Sequence, residues 1–243
     1  MTDLHCHILP ALDDGSPDLD TSVEMAAMAA ANNTSIIVAT PHCNVVDSDL
    51  ENRCKVIIRK AEQLQQILDN EGIDLRILPG MEVFARDNLK EVLDSGNFLT
   101  LGGSKYLLVE FDFDDDTEFM EYSFSLIRQK GLVPVMAHPE RYTEIQDDPE
   151  RIVPFFESGT IIQVNRGSAL GSFGKAPREA VKWILERGLA HVMASDAHGL
   201  EHRTPDLSEG YDYVTSHYSG FYADILMSRN PGRIVANRDI VSP

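Results

Sequence analysis

Nine imidazole and carboxylate side chains stand just after short apolar runs in this chain, and these are the residue types that hold divalent cations. The opening reads Asp3-Leu-His5-Cys-His7, with Asp13-Asp14-Gly15 soon after. Then come Thr40-Pro-His42, Gly80-Met-Glu82, Val109-Glu110, Ala137-His138-Pro-Glu-Arg141 and Ser195-Asp196-Ala-His198. Imidazoles and carboxylates without thiolates suit two or three catalytic divalent ions better than one closed structural zinc. The chemistry this predicts is hydrolysis of a phosphate ester at a multinuclear metal site.

Spacing sharpens the assignment. His5 and His7 point the same way if their segment is extended, because side chains alternate faces, while Cys6 points elsewhere as a small packed residue. His42 follows Ile36-Ile-Val-Ala through Thr40-Pro41, and the proline is expected to end that strand. Glu82 ends Arg76-Ile-Leu-Pro-Gly-Met and Glu110 ends Tyr106-Leu-Leu-Val. A carboxylate directly after buried apolar residues is costly unless paired or metal-bound. Taken singly, each could equally be a structural salt bridge; at equivalent strand ends they read together as ligands. Arg141 and Arg203 stand near the same rim, and their planar forks suit phosphoryl oxygens, although an arginine here could simply offset carboxylate charge. Arg166, after Gln163-Val-Asn165, reads as structural, and His191, His202 and His217 read as non-ligands.

These side chains need a scaffold that brings distant strand ends together. Short apolar runs alternate with longer amphipathic ones, which implies β/α units and a mostly parallel sheet. Strands are expected over 2–6, 35–39, 74–82, 105–110, 133–137, 160–165 and 191–195. Helices are expected near 18–32, 49–71, 87–95, 117–130, 149–158, 176–187 and 211–228. Polar residues at the C-terminal end of every strand fit a barrel, whose βα loops build a site at one face. An open sheet would concentrate them at one switch point. With no internal repeat or composition break, residues 1–243 read as a single domain. The acidic run from Asp112 to Glu118 reads as a solvated helix start.

Composition excludes several classes. Lys plus Arg number 21 against 39 Asp plus Glu, a net charge of −18, which disfavours passive nucleic-acid binding. An anionic phosphate substrate would then bind only where metal ions and local arginines reverse the field. Cys6, Cys43 and Cys54 are too few and scattered for a disulfide framework, and none begins a C-x5-R loop of a cysteine-nucleophile phosphatase. No secretory signal and no apolar stretch near the roughly 20 residues of a membrane span can be read, so a cytoplasmic location without membrane insertion is expected. Amphipathic helices pack within a barrel as readily as between subunits, so oligomeric state is not readable.

As an ordered set, these motifs resemble the polymerase and histidinol phosphatase (PHP) superfamily. Within it, the chain is most similar to the bacterial manganese-dependent protein-tyrosine phosphatases of the capsule and exopolysaccharide type. The matching text is Asp3-Leu-His-Cys-His-Ile-Leu-Pro-Ala-Leu-Asp-Asp-Gly15, Ala39-Thr-Pro-His42, Pro79-Gly-Met-Glu82, Val109-Glu110, Ala137-His-Pro-Glu-Arg-Tyr142, Gln163-Val-Asn165, Ala194-Ser-Asp-Ala-His198 and Asn230-Pro-Gly-Arg-Ile-Val-Ala-Asn237. The resemblance implies an α/β fold, a distorted (β/α)7 TIM-like barrel with a trinuclear metal site at the C-terminal rim of the strands. By the same resemblance His5, His7, Glu82 and Asp196 hold the first ion, and Glu82 bridges to a second completed by Glu110 and His138. Asp14, His42 and His198 hold the third.

The implied cofactors are three divalent ions, manganese first, with iron, zinc or magnesium compatible. A water bridging two ions has its pKa lowered from about 15.7 toward roughly 7, so hydroxide attack on phosphorus is the expected step. Arg141 and Arg203 would hold phosphoryl oxygens. The implied substrate is phosphotyrosine on an autophosphorylated bacterial tyrosine kinase of polysaccharide synthesis and export. Rivals are histidinol phosphate or another small phosphomonoester, a nuclease, which the charge disfavours, and a metal-binding regulatory module without turnover.

Overall fold

In the computed structural model the stretch over 74–82, expected as one strand, is broken at Gly80-Met81, and a short strand not expected from the sequence begins at His42; both new strands open on site residues. The structure describes residues 1–44 and 49–242. Among them the strands, in chain order, are β1 (Thr2–Cys6), β2 (Ile36–Ala39), β3 (His42–Asn44), β4 (Arg76–Pro79), β5 (Glu82–Phe84), β6 (Tyr106–Glu110), β7 (Val133–Ala137), β8 (Ile161–Asn165) and β9 (Val192–Ala194). All pairings are parallel, in one sheet ordered β1-β2-β4 and another ordered β3-β5-β6-β7-β8-β9.

Pro41 was expected to end a strand, and β2 does stop at Ala39, two residues before it. The proline lacks an N–H for the ladder, but its carbonyl accepts from the Glu82 amide (3.2 Å), and pairing resumes with His42 opposite Glu82. The parallel break at Gly80-Met81 brings two backbones close together. A Cβ on Gly80 would come within 2.6 Å of Val38 Cγ1, so the crossing needs glycine. Glu82 therefore begins β5 rather than ending β4.

The outer strands β1 and β9 also meet. The Asp196 amide donates to the His5 carbonyl and the His7 amide to the Ala197 carbonyl, both at 2.8 Å, and Cys6 bridges Ala197 in parallel. Asp3 adds side-chain bonds across the same seam, accepting from the Ser195 amide (3.1 Å) and hydroxyl (2.5 Å).

Helices cover the sheets: α1 (Leu19–Ala31), α2 (Leu50–Glu71), α3 (Leu89–Ser95), α4 (Thr117–Gln129), α5 (Thr143–Asp147), α6 (Val153–Glu157), α7 (Arg166–Leu170), α8 (Lys175–Glu186), α9 (Ser208–His217), α10 (Gly220–Asp224) and α11 (Asn230–Val235). In α2 the buried positions Ile57, Ala61, Leu64 and Leu68 recur at helical spacing and form its inward face. Asp116 in the acidic run caps α4 by accepting from the Phe119 amide (2.7 Å). One helix expected over 211–228 is broken, because Ser219 is extended and caps a new helix by accepting from the Tyr222 amide (3.0 Å). The expected helix over 149–158 starts with a 3-10 turn at Pro149–Ile152. No helix among the described residues is long and apolar enough to cross a membrane.

Both faces of the sheets are buried, as parallel strands require. Leu4, Val38, Leu108, Val135, Ala137, Ile161 and Val192 form one apolar cluster with Tyr106 and Ile234. The intervening Ile37, Leu107, Val109, Met136, Ile162 and Met193 belong to a second cluster with helix residues such as Met25, Leu64, Phe124 and Ile184. Each such fully buried side chain contributes about 1.5–3 kcal/mol, which anchors the strand ends that carry the polar residues.

Candidate metal centre

The nine donors expected from the sequence lie in one cluster. His7, Asp14, His42 and His198 form one group with ligand atoms within 4.8 Å of one another; the others are His5, His7 and Asp196, then His5, Glu82 and His138, then His42, Glu82 and Glu110. The distances therefore share His5, His7, His42 and Glu82 between groups, and His7 joins the three residues expected to hold a third ion. His42 faces two ways, with Nε2 3.4 Å from Asp14 Oδ1 and Nδ1 2.9 Å from Glu82 Oε2. Asp14 is the outlier in burial, its side chain 66% exposed where that of Glu82 is 1%.

The chain accepts backbone cost to aim these groups. His138 (φ 33°) and Asp196 (φ 52°) sit in the left-handed region just after β7 and β9, a conformation of order 1–3 kcal/mol uphill for a side chain with a Cβ. Two side-chain relays then set which imidazole nitrogen faces the centre. Asn165 Nδ2 donates to Asp196 Oδ2 (2.7 Å), so its Oδ1 accepts from Gln163 Nε2 (2.8 Å). Gln163 Oε1 must then accept from His5 Nδ1 (2.9 Å), which turns the lone pair of Nε2 inward. His7 Nδ1 likewise lies 2.8 Å from Asp13 Oδ2, leaving Nε2 as the nitrogen that faces the centre. The sequence reading assigned no role to Asp13, Gln163 or Asn165; the available signal was a second carboxylate beside Asp14 and two amides at the end of an otherwise apolar strand.

Burial alone would push His7 down, but Asp13 and Glu82 raise it to about 9. Burial is likewise outweighed at His42, raised to about 11 by Glu110 and Glu82, and at His138, raised to about 10 by the same two carboxylates. Glu110 resists burial and the nearby Glu82 charge and is held at about 2 by His138 and His42. A field that draws protons onto three imidazoles favours divalent cations equally. The donor geometry fits them too. Glu82 Oε2 is buried beside His42 Nδ1 and His7 Nε2, yet neither reaches it with hydrogen-bond geometry. His198 Nε2, 3.4 Å from Asp14 Oδ1, is in the same position.

The two arginines differ. Arg203 is committed to Asp196, donating from Nε to its carbonyl (3.0 Å) and pairing its Nη2 charge with Oδ1 (2.5 Å). Arg141 reaches Asp196 Oδ2 only at 3.5 Å, and its guanidinium packs on Phe113 and Phe173. A third arginine, not singled out from the sequence, borders a cavity of about 480 Å³ with Asp14, His42, Phe84 and Glu110. Arg53 Nη2 donates to the carbonyls of Leu12 (3.0 Å) and His42 (2.7 Å), joining the two loops that bear Asp14 and His42.

The remaining candidates sit elsewhere. Arg166 is buried and donates to the Asp206 carbonyl (2.6 Å) and Thr204 (3.2 Å), a structural pairing. His191 stacks on Phe156, His217 bonds the Tyr213 carbonyl within α9, and His202 is exposed. Cys6 is buried in the core.

Residues 1–236 match the family described as capsular polysaccharide synthesis, CpsB/CapC. The chain is 35% identical to the tyrosine-protein phosphatase YwqE of Bacillus subtilis over 240 residues, 99% of this chain and 93% of that protein. It is 28% identical to the tyrosine-protein phosphatase CpsB of Streptococcus pneumoniae over 243 residues, 98% of this chain and 99% of that one. Its fold is similar to that in the crystal structures of YwqE and CpsB, unique metal-dependent tyrosine phosphatases. There the TM-score is 0.92 at 34% identity, covering 100% of this chain and 97% of the other.

Proposed function

We infer the function from a premise that the match over residues 1–236 supplies: this chain belongs to the CpsB/CapC family of capsular polysaccharide synthesis. On that footing it is a metal-dependent phosphatase that hydrolyses phosphotyrosine on a protein, with the phosphorylated tail of a bacterial tyrosine kinase as its substrate in the cytoplasm. The observation that carries this reading is the convergence of nine imidazole and carboxylate donors, several of them buried, at one end of the parallel strands.

In this reading residues 1–243 form one domain, a distorted (β/α)7 barrel in which β2 with β3 and β4 with β5 each count as one strand. The His5–Asp196 and His7–Ala197 hydrogen bonds support closure between β1 and β9. His5, His7, Glu82 and Asp196 would hold one ion, Glu82 with Glu110 and His138 a second, and Asp14, His42 and His198 a third. Manganese is the ion the resemblance implies, and iron, zinc or magnesium suit the same donors. When bound, such ions supply a hydroxide nucleophile at neutral pH and neutralise phosphoryl charge.

The chain's own groups do the rest. Asp13 and Gln163 hold Nδ1 of His7 and His5, so that both rings would offer Nε2 to bound metal. Arg203 neutralises and holds Asp196, while the less committed fork of Arg141 is available to phosphoryl oxygens. A tyrosine phenolate leaves with a pKa near 10, so its departure requires little proton donation.

The test is phosphate release from manganese-reloaded protein on a phosphotyrosine peptide, a phosphoserine peptide, histidinol phosphate and single-stranded DNA. Preference for the phosphotyrosine peptide, lost in His42→Ala, is expected. Preference for histidinol phosphate would keep the chemistry and replace the substrate, while metal binding without turnover would indicate a regulatory module.

A further inference from the structure

Two phenylalanines at the rim have no part in holding metal or phosphate, yet both pack on the arginine proposed to hold the phosphoryl group. Phe113 lies in the loop after β6, 40% exposed, and Phe173 in the loop between α7 and α8. The Arg141 guanidinium carbon is 4.6 Å from the Phe113 ring centroid and 4.8 Å from that of Phe173. Arg203 sits 5.8 Å from the Phe173 centroid, and the Phe113 ring meets His138 edge-on at 6.4 Å. Both rings therefore border the site itself.

Their placement is built in from the neighbouring chain. A Cβ at Gly167 would come within 2.8 Å of Phe173 Cε2, so the ring occupies space that only glycine leaves at that position. Phe113 is held from the other side by Tyr142, at 6.3 Å between centroids, and its loop is tied down where the Thr143 amide donates to the Phe113 carbonyl (2.8 Å). Arg141 thus lies against two aromatic surfaces while its polar contact to Asp196, at 3.5 Å, is at the limit of hydrogen bonding.

We propose that Phe113 and Phe173 form an aromatic collar that takes the ring of an aryl phosphomonoester and sets the preference for aromatic over aliphatic substrates. The proposal rests on the phosphatase reading above and adds to it the residues that recognise the leaving group. An offset or edge-to-face contact between rings favours an aryl group by about 2- to 10-fold over an aliphatic group of equal size. The backbone of a phosphoserine has no such face to offer.

The experiment compares kcat/KM for benzyl phosphate and cyclohexylmethyl phosphate, which are close in size and both leave as primary alkoxides. It uses the manganese-loaded wild type, Phe113→Leu, Phe173→Leu and Gly167→Ala, with metal content measured on each. Wild type is expected to favour benzyl phosphate. Each leucine variant lowers that ratio about 2- to 10-fold with metal content unchanged, and Gly167→Ala, which displaces the Phe173 ring without removing it, lowers it too. Equal losses on both substrates, leaving the ratio intact, would mean the rings only brace Arg141 and would overturn the collar. A wild-type ratio near one with good turnover would overturn it while sparing the phosphatase reading. Should neither ester turn over while a phosphotyrosine peptide does, the same ratio is read from their inhibition constants against that peptide; no turnover of the peptide would remove both readings.

Discussion

Nδ1 of His7 lies 2.8 Å from Oδ2 of Asp13, six residues further along the chain. The same carboxylate accepts from the His42 amide (2.9 Å) and from the Gly15 amide (3.0 Å), so one side chain orients one candidate ligand and holds the backbone of another. These contacts outweigh burial and keep Asp13 ionised, near a pKa of 2. A neutral amide at this position would weaken the grip on the His7 proton. Asp13→Asn is therefore expected to lower metal affinity about 10- to 100-fold while leaving the fold intact. Titration of metal-free protein with manganese against a competing chelator measures this; unchanged affinity would show that Asp13 only shapes its loop.

Arg141 and Arg203 are expected to fail differently. Removing Arg203 leaves Asp196 without its closest cationic partner, so Arg203→Ala should lower both metal content and activity. Arg141 makes only the long contact to Asp196, so Arg141→Ala should keep metal content and lower kcat/KM at least about 10-fold, with a raised KM for phosphomonoesters. Metal analysis alongside steady-state kinetics separates the two. Equal metal loss in both variants would contradict a phosphate-binding role for Arg141.

His191 gives a pH prediction away from the metal cluster. Burial lowers its pKa to about 4, and its unprotonated Nδ1 accepts from the Ile162 amide (3.0 Å) beside the stacked Phe156 ring. The folded pKa lies below the unfolded value of about 6.5, so the unfolded chain binds the extra proton first as pH falls. The associated stability is complete above about pH 6.5 and is lost between there and pH 4, amounting to at most about 3 kcal/mol. His191→Gln should be less stable at pH 7 but show a smaller drop between pH 7 and pH 5 in urea unfolding. An equal drop in both proteins would assign the acid sensitivity elsewhere.

The strand ends were legible because buried apolar runs stop abruptly at polar donors. Expected strand boundaries fall within one residue of those observed for β1, β2, β6, β7, β8 and β9. What the periodicity could not reveal is the fresh strand that opens at His42 after Pro41 and the break at Gly80-Met81. Around Gly80-Met81 apolar residues continue on both sides, and only backbone pairing shows that β3 and β5 form a fresh register. The candidate donors were recognisable by type at each strand end, but their partners were not. Asp13 sits next to Asp14 with the same chemistry, and only distance decides which orients an imidazole and which faces the cluster. Arg53 lies on a helix 11 residues past His42, and nothing in its surroundings in sequence indicates that it reaches back to the His42 carbonyl. Phe113 and Phe173 are single aromatic residues in polar loops, a pattern shared by many surface residues with no role.

The central claim is that these nine side chains bind catalytic metal. The most direct measurement is metal stoichiometry, by elemental analysis, in parallel with phosphate release from a phosphotyrosine peptide, on the wild type and Glu82→Gln. Glu82 is the carboxylate shared between two of the donor groups. The expected result is about three divalent ions per wild-type chain, with turnover abolished by chelation and restored by manganese, and loss of both metal and turnover in Glu82→Gln. Full turnover in the chelated protein, or undiminished metal and activity in Glu82→Gln, would contradict it.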